Sequence, residues 1–210
     1  ARCFTTTTGI FMSIGKHSYT QLTQVKERNI NLEIVDRVNE LSREFATKKI
    51  TLDELQNGLK QISISIPTFP VWLQIIGASI VSPTLMVLFM DDYDWIDFPA
   101  AAVIGGLSYG VYLAIKHYTS VRFLSEMLTA IFMGMITICT CNIFPNLMVD
   151  NILIGSLMPL VPGVAITNAL RDLFDGDLLS GIARATESIL TAAALGGGIG
   201  IAIKLLWGGM

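Results

Sequence analysis

Apolar residues follow three different rhythms along this chain. Residues 9–14 and 19–25 are short runs rich in β-branched and aromatic side chains, separated by the polar Gly15-Lys16-His17-Ser18. That pattern predicts two strands and a turn, with His17 as a solvated turn residue. From Leu32 the rhythm turns helical, with Leu32, Val35, Val38, Leu41 and Phe45 at steps of three and four behind a capping Asn31. A second helix opens at Thr51, which forms a capping box with Glu54 and carries a stripe of Leu52, Leu55 and Leu59. Ile66-Pro67-Thr68-Phe69-Pro70 then breaks regular structure. Beyond it the polar face disappears. Five nearly continuous apolar stretches follow, at 71–90, 98–115, 127–144, 152–170 and 189–207. A helix needs about 20 such residues to cross the hydrocarbon core, so each reads as a membrane span.

Charge sharpens this division. Residues 1–69 hold 16 charged side chains, whereas the remaining 141 positions hold only 15. A soluble domain carries about 25% charged residues, so only the first third has a water-facing composition. The reading is therefore an α-helical membrane protein with five transmembrane helices (67–210), preceded by a small α+β cytoplasmic head (1–66). A single soluble enzyme domain and a disordered chain are excluded. A net charge of −3 and a pI near 5.3 exclude a nucleic-acid binder. Cys3, Cys139 and Cys141 cannot build a disulfide framework or a four-ligand zinc site, and no cofactor or metal is expected. The chain opens at Ala1 with neither Met nor an apolar leader, so part of the head is expected upstream.

Lys and Arg also orient the spans. Nine lie in the head, Lys116 and Arg122 in the second connection, and Arg171 and Arg184 in the fourth. The first and third connections have none. A multi-pass protein of the cell membrane follows, with the head cytoplasmic and the C-terminus external. The first connection, residues 91–97, carries four aspartates and reads as a hydrated external turn rather than a calcium loop. Trp72, Trp95 and Trp207 fall near span ends, as interfacial anchors do. Pro83 predicts a kink in the first span. Small residues four apart, Ala102/Gly106/Gly110, Ala192/Gly196/Gly200 and Ala194/Gly198/Ala202, predict close helix approach within the bundle or against a partner.

Candidate chemistry concentrates around the fourth span. Pro159, Pro162 and Gly163 fall within five residues there and should interrupt the helix. Broken helices at membrane depth are tolerated where the freed backbone lines a cavity or is buried in protein. A helix restarting near Gly163 would turn its amides and positive dipole end toward an anionic group such as a carboxylate. Asn168, Arg171, Asp172 and Asp175 then share one polar face, and Asp177, Ser180, Arg184 and Glu187 form a second row. These rows offer donors and acceptors to a zwitterion, and Asp172 or Glu187 could carry a coupling proton. The alternative is a solvated loop of ion pairs with Gly176 and Gly181 in a turn.

At this point the chain resembles a known family. Pro159-Leu160-Val161-Pro162-Gly163, then Asn168, Asp172, Gly176 and Gly181-Ile182-Ala183-Arg184, look like the signature of the threonine/serine exporter (ThrE-type) family. Thr8-Gly9-Ile10 and Ile30-Asn31-Leu32 resemble its cytoplasmic head, although Asn29 stands where the family usually has Gly. The resemblance implies a secondary transporter rather than an enzyme, exporting threonine and serine by proton-coupled antiport. Fused members carry a second membrane half, and split systems use a short membrane subunit, so such a partner or a homo-oligomer is expected. Arg171 and the restarted helix would meet the substrate carboxylate, Asp172 or Asp175 its ammonium group, and Arg184 would hold a gate. Rival readings are a dicarboxylate (succinate) exporter subunit, a structural or regulatory subunit, and a membrane hydrolase, for which the head shows no nucleophile and base.

Overall fold

The computed structural model describes residues 2–6, 8–14, 19–25, 31–65, 69–91, 94–119 and 121–206. The chain divides into two compact units, Ala1–Phe69 and Pro70–Met210. In the first, strands β1 (Arg2–Thr5), β2 (Gly9–Ile14) and β3 (Tyr19–Gln24) form an antiparallel sheet in the order β1-β2-β3. Gly9 pairs with Gln24 and Ile14 with Tyr19, while Cys3 pairs with Met12. The sequence pattern locates β2 and β3 but not β1, whose four residues are too few to declare a period. The expected turn at 15–18, with His17, lies outside the described residues, as do Asn29 and Ile66-Pro67-Thr68.

Helix α1 (Leu32–Ala46) starts where Asn31 Oδ1 accepts from the amides of Glu33 (3.0 Å) and Ile34 (3.3 Å). Helix α2 (Leu52–Ser65) starts on the reciprocal box: the Thr51 amide donates to Glu54 Oε2 at 2.7 Å, and the Glu54 amide to Thr51 Oγ1 at 3.3 Å. The two helices pack where Gly58 faces Leu41; a Cβ on Gly58 would lie 2.9 Å from a Leu41 methyl.

The second unit contains α3 (Val71–Phe89), α4 (Asp97–Tyr118), α5 (Arg122–Ile143), α6 (Val149–Leu157), α7 (Gly163–Phe174) and α8 (Leu178–Leu206). Among the described residues, α3, α4, α5 and α8 are each long and apolar enough to cross a membrane. The bent α6–α7 pair makes a fifth crossing if it acts as one span. Helix α3 continues through Pro83 as one helix, and Ser82 Oγ donates to the Ala78 carbonyl at 2.9 Å.

Glycines report which faces meet. On α4, Gly105 abuts Ser82, Gly106 abuts Ser79, and a Cβ on Gly110 would lie 3.5 Å from Ile75, so α3 and α4 run antiparallel. Gly198 of α8 sits against the Met127 carbonyl and Ala130 of α5, and Gly134 sits against Ala202 and Ile199. Later residues of one meet later residues of the other, so α5 and α8 run parallel. Of the two small-residue rows on α8, the one holding Gly198 and Ala202 is therefore the packing seam. In the other row, a Cβ added to Gly196 or Gly200 would meet nothing within 4 Å, so that row faces outward. Cys141 is buried and Cys139 exposed, pointing to different sides of α5.

Three boundaries move from their expected places. Helix α5 begins at Arg122 rather than Met127 and takes Glu126 into the span; α8 begins eleven residues before Ile189. Helix α4 begins at Asp97, which is fully buried. The expectation that all four loop aspartates are hydrated is thus corrected: Asp91 and Asp94 are exposed, Asp92 lies outside the described residues, and Asp97 belongs to the core.

Candidate functional site

The chain breaks where the two prolines predict. Helix α6 passes into a 3-10 turn at Met158–Leu160, and α7 departs at 61°. Neither Pro159 nor Pro162 has an N–H to continue the helical ladder. Val161 is extended (φ −68°, ψ 128°), and the Gly163 amide folds back onto the Val161 carbonyl at 2.8 Å. Helix α7 then restarts at Gly163 with no side-chain cap. The Gly163 amide is thus used within the turn, and the amides of Val164 and Ala165 are the donors left open at this helix start.

Helix α7 doubles back onto α8 through a Schellman closure. The Gly176 amide reaches the Leu173 carbonyl (3.3 Å), and the Asp177 amide reaches the Asp172 carbonyl (2.8 Å). Gly176 has φ +88°, a left-handed conformation that glycine adopts without steric cost. Gly181 is not in this turn; it is buried within α8, where a Cβ would lie 2.7 Å from the Leu173 side chain and 3.0 Å from its amide nitrogen. The reading of residues 171–187 as a solvated loop is thereby corrected: α7 and α8 form a helical hairpin, and the two glycines fix its turn and its contact.

The polar rows separate into three environments. Arg184 Nε lies 3.2 Å from Asp172 Oδ2, tying α8 to α7 with both side chains at least half sheltered. The N–H points off that line, so the contact is an ion pair rather than an aligned hydrogen bond. Arg171 and Asp175 approach at 3.8 Å, but both are mostly exposed, and such pairs contribute at most about 1 kcal/mol. Asn168 is half-buried on α7, while Ser188, one turn beyond Arg184, is buried and donates to the Arg184 carbonyl at 2.8 Å. Thus Asp172 and Arg184 are brought together, Arg171 and Asp175 lie outside them, and neither Asp172 nor Asp175 is an uncompensated acid inside the bundle.

Two acids that the sequence pattern sets outside the spans lie within the helices. Asp97 Oδ1 accepts from the Met148 amide at 2.9 Å, and Oδ2 accepts from Asn151 Nδ2 at 3.0 Å. Met148 is the N-cap of α6, so the carboxylate pins the entrance of the broken span to the start of α4. Glu126 is 6% exposed, and its Oε2 has no hydrogen-bond partner. Thr129, three residues along α5, is also fully buried with its hydroxyl unpartnered. The available signal was the apolar pattern running on either side of Glu126 through Phe123, Leu124, Met127 and Leu128.

The family model described as "Putative threonine/serine exporter" matches residues 1–206. No curated protein matches the chain, and no solved structure matches it. The match spans the head, the four long apolar helices and the broken pair that carries the Pro-Leu-Val-Pro-Gly motif. This chain belongs to the threonine/serine exporter (ThrE) family of membrane transporters.

Proposed function

We propose that the chain is a component of a secondary exporter for small hydroxy amino acids, threonine and serine, coupled to the proton gradient. The observation that carries this reading is the 61° break at Pro159–Gly163 inside an apolar span. Secondary transporters bind substrate at such discontinuities, where a restarted helix offers amides to a carboxylate. In this reading the amides of Val164 and Ala165, with Asn168 one turn on, receive the substrate carboxylate. The Asp172–Arg184 pair is the latch that closes the α7–α8 hairpin at the cytoplasmic mouth.

The orientation is part of the proposal. The antiparallel α3–α4 packing and parallel α5–α8 packing bring Lys116, the start of α5 and the α7–α8 turn to one end of the bundle. Lys204 lies toward the other end. That distribution supports a cytoplasmic head and an external C-terminus. A second membrane half, fused or separate, would cover the outward face of α7 and α8, where Val164, Leu170, Phe174, Leu179 and Ile182 are exposed. Export of amino acids rather than dicarboxylates is favoured because Asp172 already neutralises Arg184, leaving it unavailable to a second substrate carboxylate.

Export driven by a pH gradient from proteoliposomes holding the full-length transporter tests the latch. Asp172→Asn and Arg184→Ala each lower the rate at least about tenfold, the scale expected for breaking a half-sheltered pair between moving elements. A charge swap, Asp172→Arg with Arg184→Asp, recovers part of it. Unchanged export in both single variants would sink the assignment.

A further inference from the structure

Glu126 lies apart from both the Asp172–Arg184 latch and the start of α7 in sequence, on a different helix of the bundle. Ala130, one turn further along α5, packs in one apolar cluster with Leu160 and Leu195. Leu160 is the last residue before the chain breaks, and Leu195 lies one turn beyond Thr191 on α8. Because α5 and α8 run parallel with Gly198 against Met127 and Ala130, Thr191 lies about one turn and Ser188 about two turns before the level of Glu126, both buried. Helix α6 runs the other way: Ile152 clusters with Cys141 at one end, and Leu160 with Ala130 at the other. The chain therefore passes Leu160 heading toward Glu126's level before it breaks and turns by 61°. A buried carboxylate, with an unpartnered buried hydroxyl one turn along, therefore sits on α5 close to the level at which the chain breaks.

An isolated carboxylate costs several kcal/mol to bury even after relaxation, so a buried charge ordinarily has a resident cation. Among the described residues no hydrogen-bond partner reaches Glu126 Oε2. A cation arriving from solution would find these acceptors open. A primary ammonium group fits these acceptors, since it distributes three N–H donors over a carboxylate oxygen and hydroxyls. Calcium would need six or more oxygen ligands and usually several acids, and the nearest acid along α8, Glu187, lies about two turns before this level.

We infer that Glu126, with the Thr129 hydroxyl, binds the ammonium group of the transported amino acid. This rests on the exporter reading and deepens it. It moves the ammonium site from Asp172 or Asp175, one already ion-paired and the other mostly exposed, to the acid that lacks a partner. Carboxylate and ammonium ends of a zwitterion then lie on two sides of the break, on α7 and α5.

Equilibrium binding to the full-length transporter tests it with two probes, L-serine and D-glycerate, in which a hydroxyl replaces the ammonium group. The unaltered protein should prefer serine by about thirtyfold or more, the scale of losing one side of a buried charge pair. In Glu126→Gln the preference falls to within about threefold, through weaker serine binding at constant glycerate affinity. Thr129→Val gives an intermediate loss, and the melting temperature of Glu126→Gln stays level or rises. Serine affinity within twofold of the unaltered protein overturns the assignment. So does loss of proton-driven export with serine exchange intact, which would make Glu126 a proton carrier. Should Glu126→Gln not fold, carbodiimide labelling of the unaltered protein decides: serine and ethylammonium slow modification of Glu126 at least fivefold and glycerate does not, whereas equal labelling overturns the inference. Ethylammonium protection without serine transport would remove the exporter reading and keep the site. Serine transport with full serine affinity in Glu126→Gln would do the reverse.

Discussion

Asp97 and Glu126 are both acids buried in apolar helices, at opposite ends of the α4–α5 pair, yet the structure provides for them differently. Asp97 receives one amide and one side-chain N–H, both at about hydrogen-bonding length, and so joins α4 to the cap of α6. Glu126 receives none at Oε2, and its neighbour Thr129 is equally unpartnered. The contrast separates two uses of a charge in a membrane. A carboxylate met by protein donors fixes a junction. One left unmet beside a broken helix keeps its capacity for a group that arrives and leaves. The Asp97 end holds the entrance of the broken span still, and the Glu126 end, with the α7–α8 hairpin, is where exchange of partners is expected.

The largest effect that would break this comparison is at Asp97. Asp97→Ala leaves the Met148 amide and Asn151 Nδ2 without their acceptor in a buried site, a loss of about 3 kcal/mol. Denaturant unfolding in detergent should register it, while Glu126→Gln changes stability by less than about 1 kcal/mol. Equal destabilisation at both sites would erase the distinction. Next comes the hairpin contact: Gly181→Val places methyl groups against Leu173 and should cost about 2 kcal/mol. Gly196→Ala, on the open row of α8, should be neutral by the same thermal assay. Gly176→Ala follows at about 1 kcal/mol, because alanine must adopt φ +88°.

The smallest effect lies in the head and serves as a control outside the membrane. The Thr51 amide, and after it the Thr51 hydroxyl, hold the Glu54 carboxyl below its usual 4.5. A group depressed in the folded chain contributes its stability above the unfolded value and loses it as pH falls through the folded one. Amide exchange at residues 51–55 should therefore accelerate below about pH 4.5 in the unaltered protein and be pH-insensitive in Glu54→Gln, once intrinsic exchange is subtracted.

Features decided within a few residues were legible in the chain itself. The Asn31 cap, the Thr51–Glu54 box and the break at Pro159–Gly163 each need only local chemistry, and all three are present. Features decided by distant partners were not. The small-residue rows of α8 look equivalent in sequence, and only packing on α5 distinguishes Gly198 from Gly196. Strand β1 depends on pairing with β2, which Arg2–Thr5 does not announce. Asp97 and Glu126 escape the pattern for one physical reason: a span bounded where charge begins assigns a charged residue buried in the first turns of a helix to the loop before it. The polar rows at 168–187 are visible as spacing, but which acid meets which cation depends on the hairpin that brings Asp172 to Arg184.

Transport itself is tested most directly by counterflow of labelled serine. Proteoliposomes holding the full-length transporter are loaded with unlabelled serine and diluted into trace labelled serine without a proton gradient. Label should accumulate transiently, an effect abolished by excess external threonine and unaffected by succinate. Absence of accumulation with serine and threonine, alongside robust exchange of succinate, would contradict it.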